Sequence, residues 1–307
     1  MCRNPRPTKA PQSSTPALRD AGFRRIFGQI ARANHKDNKQ HFFYRIGVEM
    51  IGTCQGVKIE GAVALVTGSN RGLGKAFVRA LLDAGAAKVY AGARDASSVI
   101  ESGATPVGLD IRNDHDIAAA ADTCHDLTVL VNNAGIAKFT PLIGAPSMDA
   151  ARDEIAVNYL GTLAMCRAFA PVLAANGGGA IVNVLSVVSW ITVPISGSYC
   201  VSKAAELAMT NGIRVELGAQ GTLVVGVYAG YIDTDMTANL AIKKITPEDV
   251  VSATLAALER CETEVLADDR SRDVKNRLRD DPASLDREMQ SIWDDYLARQ
   301  AILSGSD

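Results

Sequence analysis

An excess of charge of one sign is missing from this chain. Its 307 residues carry 32 Lys and Arg against 34 Asp and Glu, a formal net charge of −2, so bulk electrostatics draw it neither to nucleic acid nor to an anionic membrane. Metal-ligand spacing is missing as well. The cysteines at 2, 54, 124, 166, 200 and 261 are scattered, with no CxxC or similar pair. No metal site is expected, and the set reads as six reduced thiols of a cytoplasmic protein. No apolar run reaches the ~18 residues expected of a membrane span. What remains, 47% hydrophobic and 21% charged residues, is ordinary for a soluble globular chain. About 250 residues suffice for one α/β domain, which buries ~75% of the surface of its unfolded chain.

Residues 1–58 differ from the rest: eleven Lys/Arg stand against three acids, with prolines at 5, 7, 11 and 16. They read as a basic N-terminal extension, disordered or the product of an early start codon, with a targeting segment as the alternative. From Ala62 the pattern changes. Ala62 to Thr67 is a short uncharged run rich in β-formers, fitting a strand buried on both faces. Further strands are expected at Lys88–Gly92, Thr105–Leu109, Leu127–Val131, Ala180–Leu185, Leu223–Tyr228 and Glu264–Leu266. Helices are expected after Gly74, over Asp116–Thr123 and Ser147–Ala174, from Tyr199, and over Pro247–Glu259. Strands alternating with helices imply a parallel sheet with right-handed crossovers. The organisation is therefore an extension over 1–58, an α/β domain over 59–268, and a charged extension over 269–307. In the last, DDRSRDVKNRLRDDP reads as solvated surface, and Leu285, Met289, Ile292, Trp293, Tyr296 and Leu297 recur at the spacing of an amphipathic helix.

The chemistry concentrates between Ser186 and Lys203. Tyr199 and Lys203 form a YxxxK pair whose spacing stacks both side chains on one helix face. An ammonium beside a phenol favours phenolate, bringing a group with an ordinary pKa of about 10 towards proton exchange near neutrality. Ser186 can hydrogen-bond an oxygen on which charge develops. By itself YxxxK is a chance pattern in many helices; its weight comes from what stands upstream. Gly68-Ser69-Asn70-Arg71-Gly72-Leu73-Gly74 joins the first strand to a helix, the layout of a dinucleotide phosphate site, where glycines let the backbone turn tightly and the helix N-terminus faces phosphate. The second strand ends at Ala93-Arg94, with no acid for a ribose 2′-hydroxyl. Arg94 and Arg71 are instead placed to clamp a 2′-phosphate. Asn132-Asn133-Ala134-Gly135 follows the fourth strand, and Asn158 is a lone polar residue in an apolar helix. Trp190, Ile191, Val193, Pro194, Ile195, Phe139 and Met236 are candidates for an apolar substrate wall.

Taken together, TGSNRGLG, Asp110, NNAG, Asn158, Ser186, YCVSK and the segment after the sixth strand resemble the short-chain dehydrogenase/reductase family, in its TGxxxGxG/YxxxK subgroup, over about Ala62 to Leu266. The resemblance implies a Rossmann-type, three-layer, doubly wound fold with a mostly seven-stranded parallel sheet. It implies an NADP(H)-dependent oxidoreductase, NADP(H) preferred over NAD(H), that interconverts an alcohol and a ketone or aldehyde by hydride transfer. Asn158, Ser186, Tyr199 and Lys203 would be the catalytic tetrad, with Tyr199 as acid/base and Asn158 anchoring a water that links Lys203 to solvent. Gly68, Asn70, Arg71, Gly72, Leu73, Gly74 and Arg94 would face the pyrophosphate and adenosine. Asp110 and Ile111 would bracket adenine, and Asn133, Ala134 and Gly135 the ribose. Tyr199, Lys203, Ile232 and Thr234 would meet the nicotinamide end. A small-molecule carbonyl or alcohol substrate and a homodimer or homotetramer are the implied partners, without nucleic acid or membrane. Ala229-Gly230 stands where the family commonly shows Pro-Gly, and the substrate lid, Asp235 to Ile245, is short. The competing reading is a nicotinamide-binding sensor or scaffold without turnover; a nucleotide-sugar enzyme is disfavoured because neither TGxxGxxG nor a larger C-terminal domain appears.

Overall fold

Strands β1 (Val63–Thr67), β2 (Lys88–Ala93), β3 (Thr105–Gly108), β4 (Val129–Asn132), β5 (Ala180–Val184), β6 (Leu223–Tyr228) and β7 (Glu264–Leu266) form one sheet in the order β3-β2-β1-β4-β5-β6-β7. Every pairing is parallel. The computed structural model describes residues 56–305, so the extension read from residues 1–58 lies, apart from residues 56–58, outside the described residues. The helices are α1 (Gly72–Asp83), α2 (Asp114–Thr123), α3 (Asp149–Ala175), α4 (Gly197–Gly218), α5 (Pro247–Glu259), α6 (Asp269–Asp280) and α7 (Pro282–Ser304).

The strands read as apolar runs because helices cover both sheet faces. On one face Phe77, Val78 and Leu81 of α1 and Val250, Val251 and Leu258 of α5 pack against alternate strand residues such as Ala64, Val66 and Val182. On the other, Ile117 of α2, Met165, Phe169 and Leu173 of α3, and Ile213 of α4 meet Leu65, Leu130 and Ile181. Residues i and i+2 of a strand thus serve opposite layers. Burying a Phe or Leu side chain of this kind contributes about 1.5–3 kcal/mol each. By length and composition α3 is apolar enough to cross a membrane, yet its Met165, Cys166, Phe169 and Leu173 are buried in the core.

Four features differ from the sequence reading. Helices do not alternate with strands throughout, since β2 and β3 are joined by a single 3-10 turn, Ala96–Ser98. Helix α3 is interrupted by a π-helical stretch over Ile155–Gly161, which widens the turn that carries Asn158. The charged segment after Asp268 is helix α6 rather than plain solvated surface: Asp268 and Ser271 form a reciprocal capping box, and Val274 is fully buried. Val274 and Leu285 pack on Val187 and Ile191 of the β5–α4 connection, so α6 and α7 brace the segment that follows Ser186. Of the cysteines, Cys124, Cys166 and Cys200 are buried free thiols, whereas Cys261 is disulfide-bonded, a departure from six reduced thiols.

Candidate active site

The strand order reverses between β1 and β4, and the turns after those two strands open at the same carboxyl edge of the sheet, where doubly wound folds bind their ligands. Gly68 has φ +64° and Gly72 φ +51°, conformations that side chains resist. A Cβ on Gly74 would lie 2.2 Å from the Gly68 carbonyl oxygen and 2.5 Å from Asn133 Nδ2, so only glycine allows α1 to start this close to the turn. Arg71, at the N-cap, gives α1 no side-chain cap, and the first turn holds no acid. Uncapped amides and an unopposed helix dipole suit a dianionic pyrophosphate. The described residues fit a dinucleotide here.

The other expected cofactor residues divide into those that face this edge and those that build it. Asn70 and Arg94 are exposed, but Leu73 is packed in the core and offers only its backbone. Asn133 is a latch: its Nδ2 donates to Thr67 O at 2.9 Å and Gly68 O at 3.1 Å, while the amides of Asn133 and Ala134 both donate to Thr67 Oγ1 at 3.0 Å. Ile111 is 5% exposed and its side chain meets Gly161 of the π-helical stretch. Asp110 is held below the usual carboxylate range by hydrogen bonds from Arg112, with Arg94 adding to the effect. Arg112 was not singled out from the sequence, although its position two residues after Asp110 allows the bidentate pair seen, at 3.0 and 2.6 Å. Arg71 Nη1 pairs with Asp235 Oδ2 at 3.2 Å, both side chains mostly exposed, because the turn after β6 comes within reach of the glycine turn. Thr234 and Gly72 are in contact there, and Ile232 bridges to Ile245.

Of the four residues expected to form the tetrad, Asn158 Oδ1 and Lys203 Nζ lie beside Gly135, and Ser186 lies within hydrogen-bonding reach of the Tyr199 phenol. Ser186 follows β5 by two residues and caps the 3-10 turn Val187–Ser189, its Oγ accepting from Val188 N at 3.3 Å. Helix α4 begins at Gly197 and presents Tyr199, half-buried, and Lys203, buried, one turn apart. Lys203 Nζ donates to Val184 O at 2.8 Å and to Glu206 Oε2 at 2.7 Å. The Asn158 side chain is fully engaged: Oδ1 accepts from Ile136 N, and Nδ2 donates to Ile136 O and Ser202 Oγ, each at 2.9 Å. It anchors the strand-to-loop turn after β4.

Electrostatically the site departs from the simple Tyr–Lys argument. Burial pushes the Tyr199 phenol above its usual value, Lys203 opposes this, and Glu206 reinforces it; Ser186 helps the ionised form. Burial pulls the Lys203 ammonium down, but Glu206 and Tyr199 together outweigh it and hold Lys203 above its ordinary value. Glu206 was overlooked in the sequence, although it lies three residues after Lys203, at the helical spacing that stacks neighbours on one face.

Of the wall candidates, Trp190 stacks on Tyr228 at 4.1 Å between ring centroids with Lys275 over its ring, and Ile191 belongs to the buried C-terminal cluster. Val193 is buried, Pro194 and Ile195 are partly buried, and Phe139 and Met236 are left exposed. The loop carrying Phe139 is pinned to α3 by Lys138 N donating to buried Glu154 at 2.7 Å and to the start of α4 by Thr140 Oγ1 against Ser198 Oγ at 3.1 Å.

The short chain dehydrogenase family model matches residues 62–244. A short chain dehydrogenase from Burkholderia cenocepacia, solved in complex with NADP, is similar at 43% identity and a TM-score of 0.73, over 76% of this chain and 98% of that one. A short chain dehydrogenase of Monascus purpureus is 32% identical over 224 residues, 66% of this chain and 74% of the relative. The NADP-dependent 3-hydroxy acid dehydrogenase of Schizosaccharomyces pombe is 28% identical over 238 residues, 69% and 92% of the two chains.

Proposed function

From the premise that this chain belongs to the short-chain dehydrogenase/reductase family, a family of oxidoreductases, we propose that it is an NADP(H)-dependent enzyme interconverting an alcohol and a ketone or aldehyde. The observation that carries this reading is the placing of Tyr199 and Lys203 one turn apart on α4, beside Ser186, at the sheet edge that also holds the glycine turn. When bound, the nicotinamide supplies or accepts the hydride. Tyr199 gives a proton to the substrate oxygen in reduction and takes it in oxidation. Ser186 Oγ orients that oxygen and stabilises charge on it. Lys203 faces Gly135 and serves the nicotinamide ribose, and the uncapped start of α1 holds the pyrophosphate. Arg94 takes the 2′-phosphate, Asp110 and Ile111 flank the adenine, and Ile232 and Thr234 receive the carboxamide.

The test is a panel of ketones, aldehydes and alcohols followed at the reduced-nicotinamide absorbance band. Turnover of a panel member with NADPH or NADP is expected. Dinucleotide binding without turnover across the panel would instead favour the sensor reading.

The same reading makes the protein a homodimer or homotetramer. Leu160 on α3 and Val215 on α4 are 51% and 82% exposed, and Leu160, Leu163 and Ala164 line an outer groove with Ile117. That is more apolar surface than one sheet covers. Light scattering at micromolar concentration is expected to give a mass above one chain, and a monomer would refute the assembly.

A further inference from the structure

Beside Lys203 lies a carboxylate that the proposed chemistry leaves unused. Glu206 is 1% exposed, and its Oε2 accepts from Lys203 Nζ at 2.7 Å. An ionised carboxylate is this deeply buried only when paired. Burial raises Glu206 to about 7 against the pull of Lys203. The titratable groups that feel it come from three elements: Tyr199 and Lys203 on its own helix, Cys166 on α3 and Tyr228 on β6. Around them runs a neutral buried chain. Asn132 Nδ2 donates to Asn183 Oδ1 at 2.9 Å, Asn183 Nδ2 to Thr210 Oγ1 at 2.9 Å, and Thr210 Oγ1 to the Glu206 carbonyl at 2.8 Å. Among these groups Lys203 carries the positive charge. An unpaired ammonium would draw Tyr199 towards phenolate; an anion in contact with the ammonium cancels much of that field at the phenol.

We propose that Glu206 is a positioning residue, the buried counter-ion of Lys203, and that its charge keeps Tyr199 a phenol, ready to give its proton to a carbonyl oxygen. This rests on the oxidoreductase reading for the direction it favours, but the protonation itself is measurable without a substrate. Glu206→Gln keeps the shape and a hydrogen-bond acceptor while removing the charge. Titrating the near-ultraviolet tyrosinate band, with Tyr199 isolated by difference against a Tyr199→Phe background, is expected to give a midpoint lowered by about one pH unit. Glu206→Asp retains the charge and is expected to stay near wild type. The alkaline limb of carbonyl reduction should move with the spectroscopic midpoint, a readout that loss of packing alone does not shift.

An unchanged Tyr199 midpoint in Glu206→Gln, or an equal shift in Glu206→Asp, would overturn the proposal. Should Glu206→Gln be insoluble, Lys203→Met/Glu206→Met carries the test, since it replaces the pair by apolar groups of similar volume. If the two charges cancel at the phenol, the double variant titrates where wild type does. If Glu206 has no influence there, removing Lys203 raises the midpoint by about one unit, and the proposal is lost. A protein inactive on the whole panel would count against the oxidoreductase reading, while the tyrosinate titration still decides the role of Glu206.

Discussion

Tyr199→Phe is expected to lower turnover at least ~100-fold while dinucleotide binding persists. The substitution removes the hydroxyl and keeps the ring that fills the half-buried position on α4. The Tyr199 carbonyl, which accepts from Ser202 Oγ at 2.7 Å, is untouched, so Ser202 still holds Asn158 and with it the turn after β4. The Lys203 bonds to Val184 and Glu206 do not involve the phenol. Nothing that shapes the glycine turn changes, and nicotinamide fluorescence should report an affinity close to wild type. What is lost is the proton donor, and with a substrate of the wild-type enzyme the loss should appear in kcat. Turnover within a few-fold of wild type would mean that another group moves the proton and that the assignment to Tyr199 is wrong.

How much of this was legible in the chain follows from the range of each interaction. The β1 run and its glycine turn are local: apolar β-branched residues, then glycines where positive φ is needed, then a helical pattern. The Tyr199–Lys203 spacing is equally local. Glu206 lay within the same helical period, yet a single Glu in a helix reads as solvated until the burial of its face is known. The Arg71–Asp235 pair spans 164 positions and depends on how two loops approach across the sheet edge, which no periodicity encodes. The C-terminal helices were missed in another way. DDRSRDVKNRLRDDP is so polar that its one buried apolar residue, Val274, carried no visible pattern, although it packs near the loop that holds Ser186. Trp190 and Ile191, expected on a substrate wall, were drawn into that packing instead.

Cofactor choice is the second large effect, and the structure alters how it should be tested. The chain ends β2 with Ala93-Arg94, so no carboxylate stands there to repel a 2′-phosphate or bind a bare ribose diol. Arg94 is exposed, and the neighbouring acid, Asp110, is already tied by Arg112, which mutes the repulsion it would exert. Arg71 pairs with Asp235 in an exposed contact and would exchange that partner to contribute, so the preference is expected to rest mainly on Arg94. A charge-assisted contact at a solvent-facing site, discounted for screening, is expected to give about a ten- to hundredfold higher kcat/KM with NADPH than with NADH. Ala93 is only 4% exposed, and a carboxylate placed there would be buried at a cost, so Arg94→Asp is the cleaner substitution. It removes the cation and supplies an acceptor for the ribose hydroxyls, and should erase or reverse the preference while leaving kcat with NADH close to wild type. Raising ionic strength should weaken the NADPH preference of the wild-type enzyme more than its turnover with NADH, because the discriminating charge faces solvent. Equal or better efficiency of the wild-type enzyme with NADH would remove Arg94 from phosphate recognition and make the cofactor NAD(H).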